Sequence, residues 1–297
     1  MVPPGFSSRP ATVDDADAIY QLVAAAEIEW HGRAEAVPDQ VVADLRRPEL
    51  RLEQDTLLVH APDGELAGWA WVHLGKRAQI EVHPSYHGLG IGTALLDWAE
   101  QQSRETGSEW LAQAVDDQDK AGTVLLRSRG YDVLATNWLL ERPLDTTVLR
   151  DLPEGLTLTP YNETQARAVH ELIEDAFSGI RSRRKSYDEW ARLTVERSSF
   201  RPNASTLAYA GDELVGVVIA LDLPDTNEGY VEQLAVRADH RNKGIARAML
   251  DDTCAEFHRL GRRTCILWTH SGTGALGMYE HLGMRVRRST TVYRTTI

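Results

Sequence analysis

Cysteine is almost absent: the 297 residues hold only Cys254 and Cys265, too few for a disulfide framework or a cysteine-rich metal site, and no metal is expected. Both fall in apolar segments, so buried free thiols are the expectation. Long apolar runs are missing too. Nothing approaches the roughly 18 uninterrupted apolar residues of a membrane helix, so a soluble chain without a membrane partner is expected. Positive charge is scarce, with 32 Lys and Arg against 44 Asp and Glu and a formal net charge of −12. Such a balance argues against a general nucleic-acid binder, whose affinity comes from paired phosphates. It leaves room for a cationic small substrate. The opening Met1-Val2-Pro3-Pro4-Gly5-Phe6 has neither a basic start nor an apolar run. It reads as no signal peptide, and a cytoplasmic location is the default expectation.

What is present is a repeat. A length of 297 residues exceeds the roughly 100–200 of a usual single domain and favours two. Phe6-Ser-Ser-Arg-Pro10 followed by Ile19, Leu22, Val23 and Ala26 runs parallel to Leu156-Thr-Leu-Thr-Pro160 followed by Val169, Leu172, Ile173 and Ala176. In both copies a short strand leads into a helix with apolar residues at steps of three and four. Glu65-Leu66-Ala67-Gly68 matches Glu213-Leu214-Val215-Gly216, and Gly90-Ile91-Gly92-Thr93-Ala94-Leu95-Leu96-Asp97 matches Gly244-Ile245-Ala246-Arg247-Ala248-Met249-Leu250-Asp251. Arg129-Gly130-Tyr131 matches Leu282-Gly283-Met284. The order holds while the offset drifts by a few residues, as loop insertions in two copies of one domain would give. Prolines and small polar residues between Pro143 and Gly155 interrupt any period. The expected division is therefore 1–143, a linker at 144–155, and 156–297.

The sharpest local signal is the apolar run Val231 to Val236, a polar loop from Arg237 to Lys243, and Gly244-Ile245-Ala246 opening a helix. That helix places Ala246, Leu250, Cys254 and Phe257 on one face. Strand, loop and helix N-terminus make an anion site: unpaired amides and the positive end of the dipole meet at the loop, and glycine admits a phosphate to the backbone. The plainer alternative is a strand-to-helix connection with a tight-turn glycine.

Arg241-Asn242-Lys243-Gly244-Ile245-Ala246 resembles the Arg/Gln-x-x-Gly-x-Gly/Ala signature of the GNAT superfamily of N-acetyltransferases. Gly274-Ala275-Leu276-Gly277-Met278-Tyr279-Glu280-His281-Leu282-Gly283-Met284 is similar to the family's later helix, and the first half repeats the loop as His87-Gly88-Leu89-Gly90-Ile91-Gly92. The resemblance implies an α/β chain of two tandem domains, each a mixed, mostly antiparallel central sheet flanked by helices. It implies acetyl-CoA as co-substrate and transfer of its acetyl group to a primary amine of a small molecule, by a monomer or homodimer. Carried over by position, the cofactor-binding residues are Leu234, Ala235, Val236, Arg241, Asn242, Lys243, Gly244, Ile245, Ala246 and Arg247. Their counterparts in the first half are Ile80, Glu81, Val82, His87, Gly88, Leu89, Gly90, Ile91, Gly92 and Thr93.

Amine acetylation needs a base for the acceptor nitrogen and an acid for the departing thiolate. The family's positions for these fall on Glu232 and Tyr279 in the second half, and on Ala78 and Leu126 in the first, where neither can move a proton. The second half is thus the expected catalytic one. Glu228 and His270 are alternative bases, and the plainer alternatives for Glu232 and Tyr279 are a solvated strand glutamate and a half-buried tyrosine with a satisfied hydroxyl. On a regular strand Glu232, Leu234 and Val236 share one face, while the backbone at Leu234 and Val236 is free to pair with the pantetheine arm. Arg181-Ser182-Arg183-Arg184-Lys185 reads first as a solvated loop; as a functional tract it would imply an anionic acceptor. One degenerate half also resembles the arrangement of mycothiol synthases and of antibiotic-modifying acetyltransferases. The former carry an acidic residue two positions before Glu232, where this chain has Tyr230. From a different class comes a CoA-binding sensor or scaffold without turnover.

Overall fold

The computed structural model describes residues 2–47, 49–145, 151–180 and 183–297. In chain order the first half forms β1 (Ser7–Arg9), α1 (Ala16–His31), α2 (Pro38–Leu45), α3 (Leu52–Asp55), β2 (Thr56–His60), β3 (Leu66–His73), β4 (Arg77–Val82), α4 (Ile91–Glu105), β5 (Trp110–Asp116), α5 (Lys120–Ser128) and β6 (Asp132–Pro143). The second forms β7 (Leu156–Pro160), α6 (Ala166–Ala176), α7 (Tyr187–Leu193), β8 (Thr206–Ala210), β9 (Glu213–Leu223), β10 (Glu228–Val236), α8 (Ile245–Arg259), β11 (Thr264–His270), α9 (Leu276–His281) and β12 (Arg285–Thr296). The paired motifs fall on matching elements: α1 with α6, β3 with β9, α4 with α8.

The compact units do not divide at 144–155, where the sequence places the boundary, and Thr146–Arg150 of that stretch lie outside the described residues. One unit is Met1–Thr136 with Ser289–Ile297, and the other is Asn137–Arg288. In the first unit the strands run β1-β2-β3-β4-β5-β12, and in the second β7-β8-β9-β10-β11-β6. Each unit thus takes its last strand from the other half's sequence. Residues Asn137–Pro143 of β6 pair antiparallel with β11, and Thr290–Thr296 of β12 pair antiparallel with β5. Each final strand is one run of 12 residues, roughly 40 Å at about 3.3 Å per residue. In each sheet one pair is parallel, β4 with β5 and β10 with β11, and the other pairs are antiparallel.

Both faces of the second sheet are covered. One packs on α8, where Ile245, Met249, Leu250, Cys254 and Phe257 meet Val215, Val218, Val231 and Val236. The other packs on α6 and α7, where Val169, Ile173 and Trp190 meet Leu207, Val217, Ile219 and Ala235. Cys254 and Cys265 are buried free thiols, as expected. The repeated glycine at the start of β3 and β9 has a packing cause. A Cβ on Gly68 would lie 2.7 Å from Ile91 Cγ2, and one on Gly216 would lie 2.9 Å from Met249 Cε and 3.2 Å from Ile245 Cγ2. Glycine therefore lets the helix after each loop lie directly on the sheet.

Candidate active site

Gly244 caps α8 with φ of 79°, and two residues before it Asn242 also lies in the left-handed region, at 62°. Glycine and asparagine are the residues that tolerate this conformation, and the turn they make aims the first-turn amides of α8 outward. Lys243 is exposed, and neither it nor Arg247 has an ion-pair partner among the described residues. Arg241 does something else. Its Nε donates to the Val236 carbonyl at 3.2 Å and its Nη2 to the Ala176 carbonyl at 3.2 Å. The guanidinium ties the loop to the end of β10 and to the negative C-terminus of α6, so it braces the cradle.

β10 and β11 pair only from Glu228 with Thr264 to Val231 with Leu267. Beyond that β10 follows β9 to Val236 and β11 follows β6 to His270, so the two strands splay. The splay begins where β10 bulges: Val231 sits opposite Ala220 and Gln233 opposite Ile219, leaving Glu232 as the extra residue. A bulge re-aims side chains and breaks the two-residue alternation. Here it corrects the expected shared face. Leu234 and Val236 pack toward α8, whereas Gln233 accepts the Trp190 indole N–H at 2.9 Å on the α7 side. Glu232 joins Gln233 there, with its Oε2 3.5 Å from Arg197 Nη1 and the Tyr230 phenol beside it. Arg197 is 2% exposed at the side chain and Glu232 22%, so a buried cation backs a carboxylate that still reaches solvent. Burial, and then the charge of Glu232, hold Tyr230 well above the usual phenol range.

Tyr279 on α9 is buried on the α8 side of the sheet, and its hydroxyl has no hydrogen-bond partner among the described residues. The satisfied hydroxyl of the plainer reading is therefore not found. Burial, then nearby Cys265, push its pKa up to about 12, so it stays protonated throughout the neutral range. Glu228 is 4% exposed and ion-paired to Arg287 at 2.5 Å, which ties up the carboxylate the alternative base would need. His270 accepts the Gly272 N–H on Nδ1 at 2.9 Å, closing its own turn. Of the basic tract, Arg181 and Ser182 lie outside the described residues. Arg183 is bidentate to buried Glu189 at 2.7 and 2.8 Å, and Arg184 pairs with Asp175.

Residues 18–131 and 166–284 match the model of the acetyltransferase (GNAT) family. The chain belongs to that family. It is 26% identical over 326 residues to a mycothiol acetyltransferase of Catenulispora acidiphila, covering 98% of each chain. It is 29% identical over 260 residues to the mycothiol acetyltransferase of Sanguibacter keddieii, covering 80% of this chain and 78% of that one. A GCN5-related N-acetyltransferase from Sphaerobacter thermophilus has a similar structure, with TM-score 0.81, 27% identity and coverage of 100% and 97%. A tandem GNAT protein from the clavulanic acid biosynthesis pathway shares the fold at TM-score 0.76 and 17% identity, covering 98% of each. The two GNAT modules and the acyltransferase class are thereby established, with acetyl-CoA the co-substrate the fold implies. Among the described residues no helix is long and apolar enough to cross a membrane.

The first GNAT module repeats the geometry of the loop. Gly88 and Gly90 are left-handed at 77° and 85°, and Gly90 caps α4. His87 Nε2 donates to the Val82 carbonyl at 3.0 Å, the counterpart of the Arg241 bond to the Val236 carbonyl. β4 pairs with β3 without a register shift, and its parallel pairing with β5 ends at Ala78 with Gln113. Ala78 and Leu126 are each 2% exposed. A cavity of about 310 Å³ lies against this loop. All ten of the carried-over positions except Leu89 line it, together with Gln113. Gln113 is 6% exposed and its Oε1 has no hydrogen-bond partner among the described residues. Where the second module has Lys243 before α8 and Arg247 on it, the first has Leu89 before α4 and Thr93 on it.

Proposed function

We propose that this chain acetylates a primary amine of a small molecule by direct attack of the amine on the acetyl-CoA thioester, and that turnover belongs to the second module. The observation carrying this reading is the coincidence of bulge and splay: Glu232 is the extra residue of β10 at the point where β10 leaves β11. The unpaired edge of β10 from Leu234 to Val236 is suited to the pantetheine amides, and the first-turn amides of α8 with Lys243 and Arg247 are suited to the pyrophosphate. Glu232 takes the proton from the acceptor amine, directly or through one water, while Arg197 and Tyr230 fix its orientation. As the amine nitrogen bonds to the carbonyl carbon and the carbon–sulfur bond breaks, Tyr279 donates its hydroxyl proton to the thiolate. The first module, with Ala78 and Leu126 at those places, retains a loop suited to hold CoA and transfers nothing. Gln113 Oε1 there is an acceptor suited to a ligand amide N–H. For the acceptor we favour the cysteinyl amine of a mycothiol-type thiol, on the full-length similarity to chains named mycothiol acetyltransferase, with Tyr230 in place of the acidic residue as the point of departure. The test is release of free thiol from acetyl-CoA with a panel of amines, cysteinyl amines and aminoglycosides among them, by wild type and Glu232→Gln. A loss of about 10²–10⁴-fold in the variant is expected of a general base. Equal turnover would remove Glu232 from that role, and no thiol release with any amine would favour a CoA sensor.

A further inference from the structure

A second cavity lies in the second unit, apart from the splay. Its walls come from the end of β7, the turn leading into α6, α7 with the segment after it, and β8, and none of its lining residues belongs to β10 or β11. It measures about 930 Å³ and is open on one side. Four aromatic rings line it: Tyr161, Tyr187, Phe200 and Tyr209. Tyr161 and Phe200 stand edge to face at 5.1 Å. Glu163 and Glu196 also line it. Both are exposed, and neither carboxylate has an ion-pair or hydrogen-bond partner among the described residues. No lysine or arginine is among the lining residues.

Ring faces attract cations through the π quadrupole, and a carboxylate at the rim adds an ordinary ion pair. The protein already uses one of these rings in that way, since the Arg167 guanidinium stacks over Tyr187 at 4.6 Å. Carboxylates beside aromatic rings make the same kind of contact available to a ligand. We propose that this cavity binds an organic dication, a flexible linear diamine or polyamine, with its methylenes on the rings and its two ammonium groups at Glu163 and Glu196. An anion is disfavoured by both carboxylates, and a neutral apolar guest would leave them unpaired. The net charge of −12 draws such a ligand toward the protein without fixing where it binds.

The experiment is calorimetric titration of the intact chain with 1,5-diaminopentane, with 1,5-pentanediol as the uncharged analogue of equal length. The diamine should bind and the diol should not, and the diamine's affinity should fall as salt rises. The double variant Glu163→Gln/Glu196→Gln, changed only at exposed side chains, should lose at least about tenfold in diamine affinity, each charge-assisted contact being of that order. Phe200→Leu should weaken binding several-fold, while acetyl-CoA titrates as in wild type for both variants. No diamine binding by wild type overturns the proposal, as does a diol that binds equally well. Unchanged diamine affinity in the double variant also overturns it, because the diamine would then sit elsewhere, at the amine-acceptor site for example. Every readout is a binding constant, so failure of the proposed transfer reaction leaves this test intact.

Discussion

Replacing Gly244 by valine separates the phosphate cradle from the rest of the site. At φ of 79° an L-residue pays roughly 1–2 kcal/mol for the left-handed conformation, and a β-branched one is at the high end. The added Cβ meets nothing closer than Pro153 Cγ at 3.5 Å, an ordinary contact. The fold should therefore survive with a Tm lower by a few degrees, at about 2–4 °C per kcal/mol for a domain of this size. Binding should suffer far more. The side chain stands over the first-turn amides of α8, and each charge-assisted hydrogen bond to a phosphate oxygen is worth roughly 1.5–3 kcal/mol. Losing two of them amounts to about 3–6 kcal/mol, or roughly 10²–10⁴-fold in Kd. Gly244→Ala carries the same backbone strain with a smaller obstruction and should fall between. Gly90→Val is the matched control: φ is 85° and the nearest atom is Pro3 Cγ at 3.7 Å, so the strain is alike, but turnover should persist. Calorimetry with acetyl-CoA, thiol-release rates and the count of CoA molecules retained are the assays. A folded Gly244→Val protein with unchanged affinity refutes the cradle, and loss of turnover in Gly90→Val with full activity in Gly244→Val reverses the assignment of halves.

Tyr279→Phe should lower kcat by about 10²–10⁴-fold with little change in acetyl-CoA affinity, and full turnover would remove the proton donor. The same residue gives a stability prediction. Its pKa is raised in the fold to about 12 from an ordinary 10.0, so its contribution is complete below pH 10 and is lost as pH rises through about 12. Denaturant midpoints at pH 9 and pH 11.5 should therefore fall further apart in wild type than in Tyr279→Phe, by roughly 1–2 kcal/mol at about 1.4 kcal/mol per unit. Equal pH dependence in the two proteins would mean that Tyr279 is not buried as found.

Local features were legible in the sequence wherever they repeat at short range. The helical faces of α1, α4, α6 and α8 follow from apolar steps of three and four, and the two loops follow from glycines that cap helices with positive φ. Tyr279 could be placed because its helix carries its own motif. Partners distant in sequence left no such signal. Arg197 and Glu232 are 35 positions apart, and nothing periodic marks the segment around Arg197. Trp190 and Gln233 reach each other only because α7 lies on the sheet.

Sequence by itself determined that one architecture is written twice, with glycine loops at corresponding places and with Glu232 and Tyr279 in one copy where the other has Ala78 and Leu126. Side-chain identity and short-range periodicity are properties of the chain, and they survive folding unchanged. The tertiary structure decided the rest. A bulge depends on which residue of β9 faces which of β10, so only the paired sheet could show that Glu232 shares a side with Gln233 instead of Leu234. The roles of His87 and Arg241 were likewise set by which carbonyls came within reach, Val82 for one, Val236 and Ala176 for the other. The ends of β6 and β12 read as the close of their own halves. Hydrogen bonding to β11 and β5 assigns them to the other units, because a strand belongs where its backbone groups find partners.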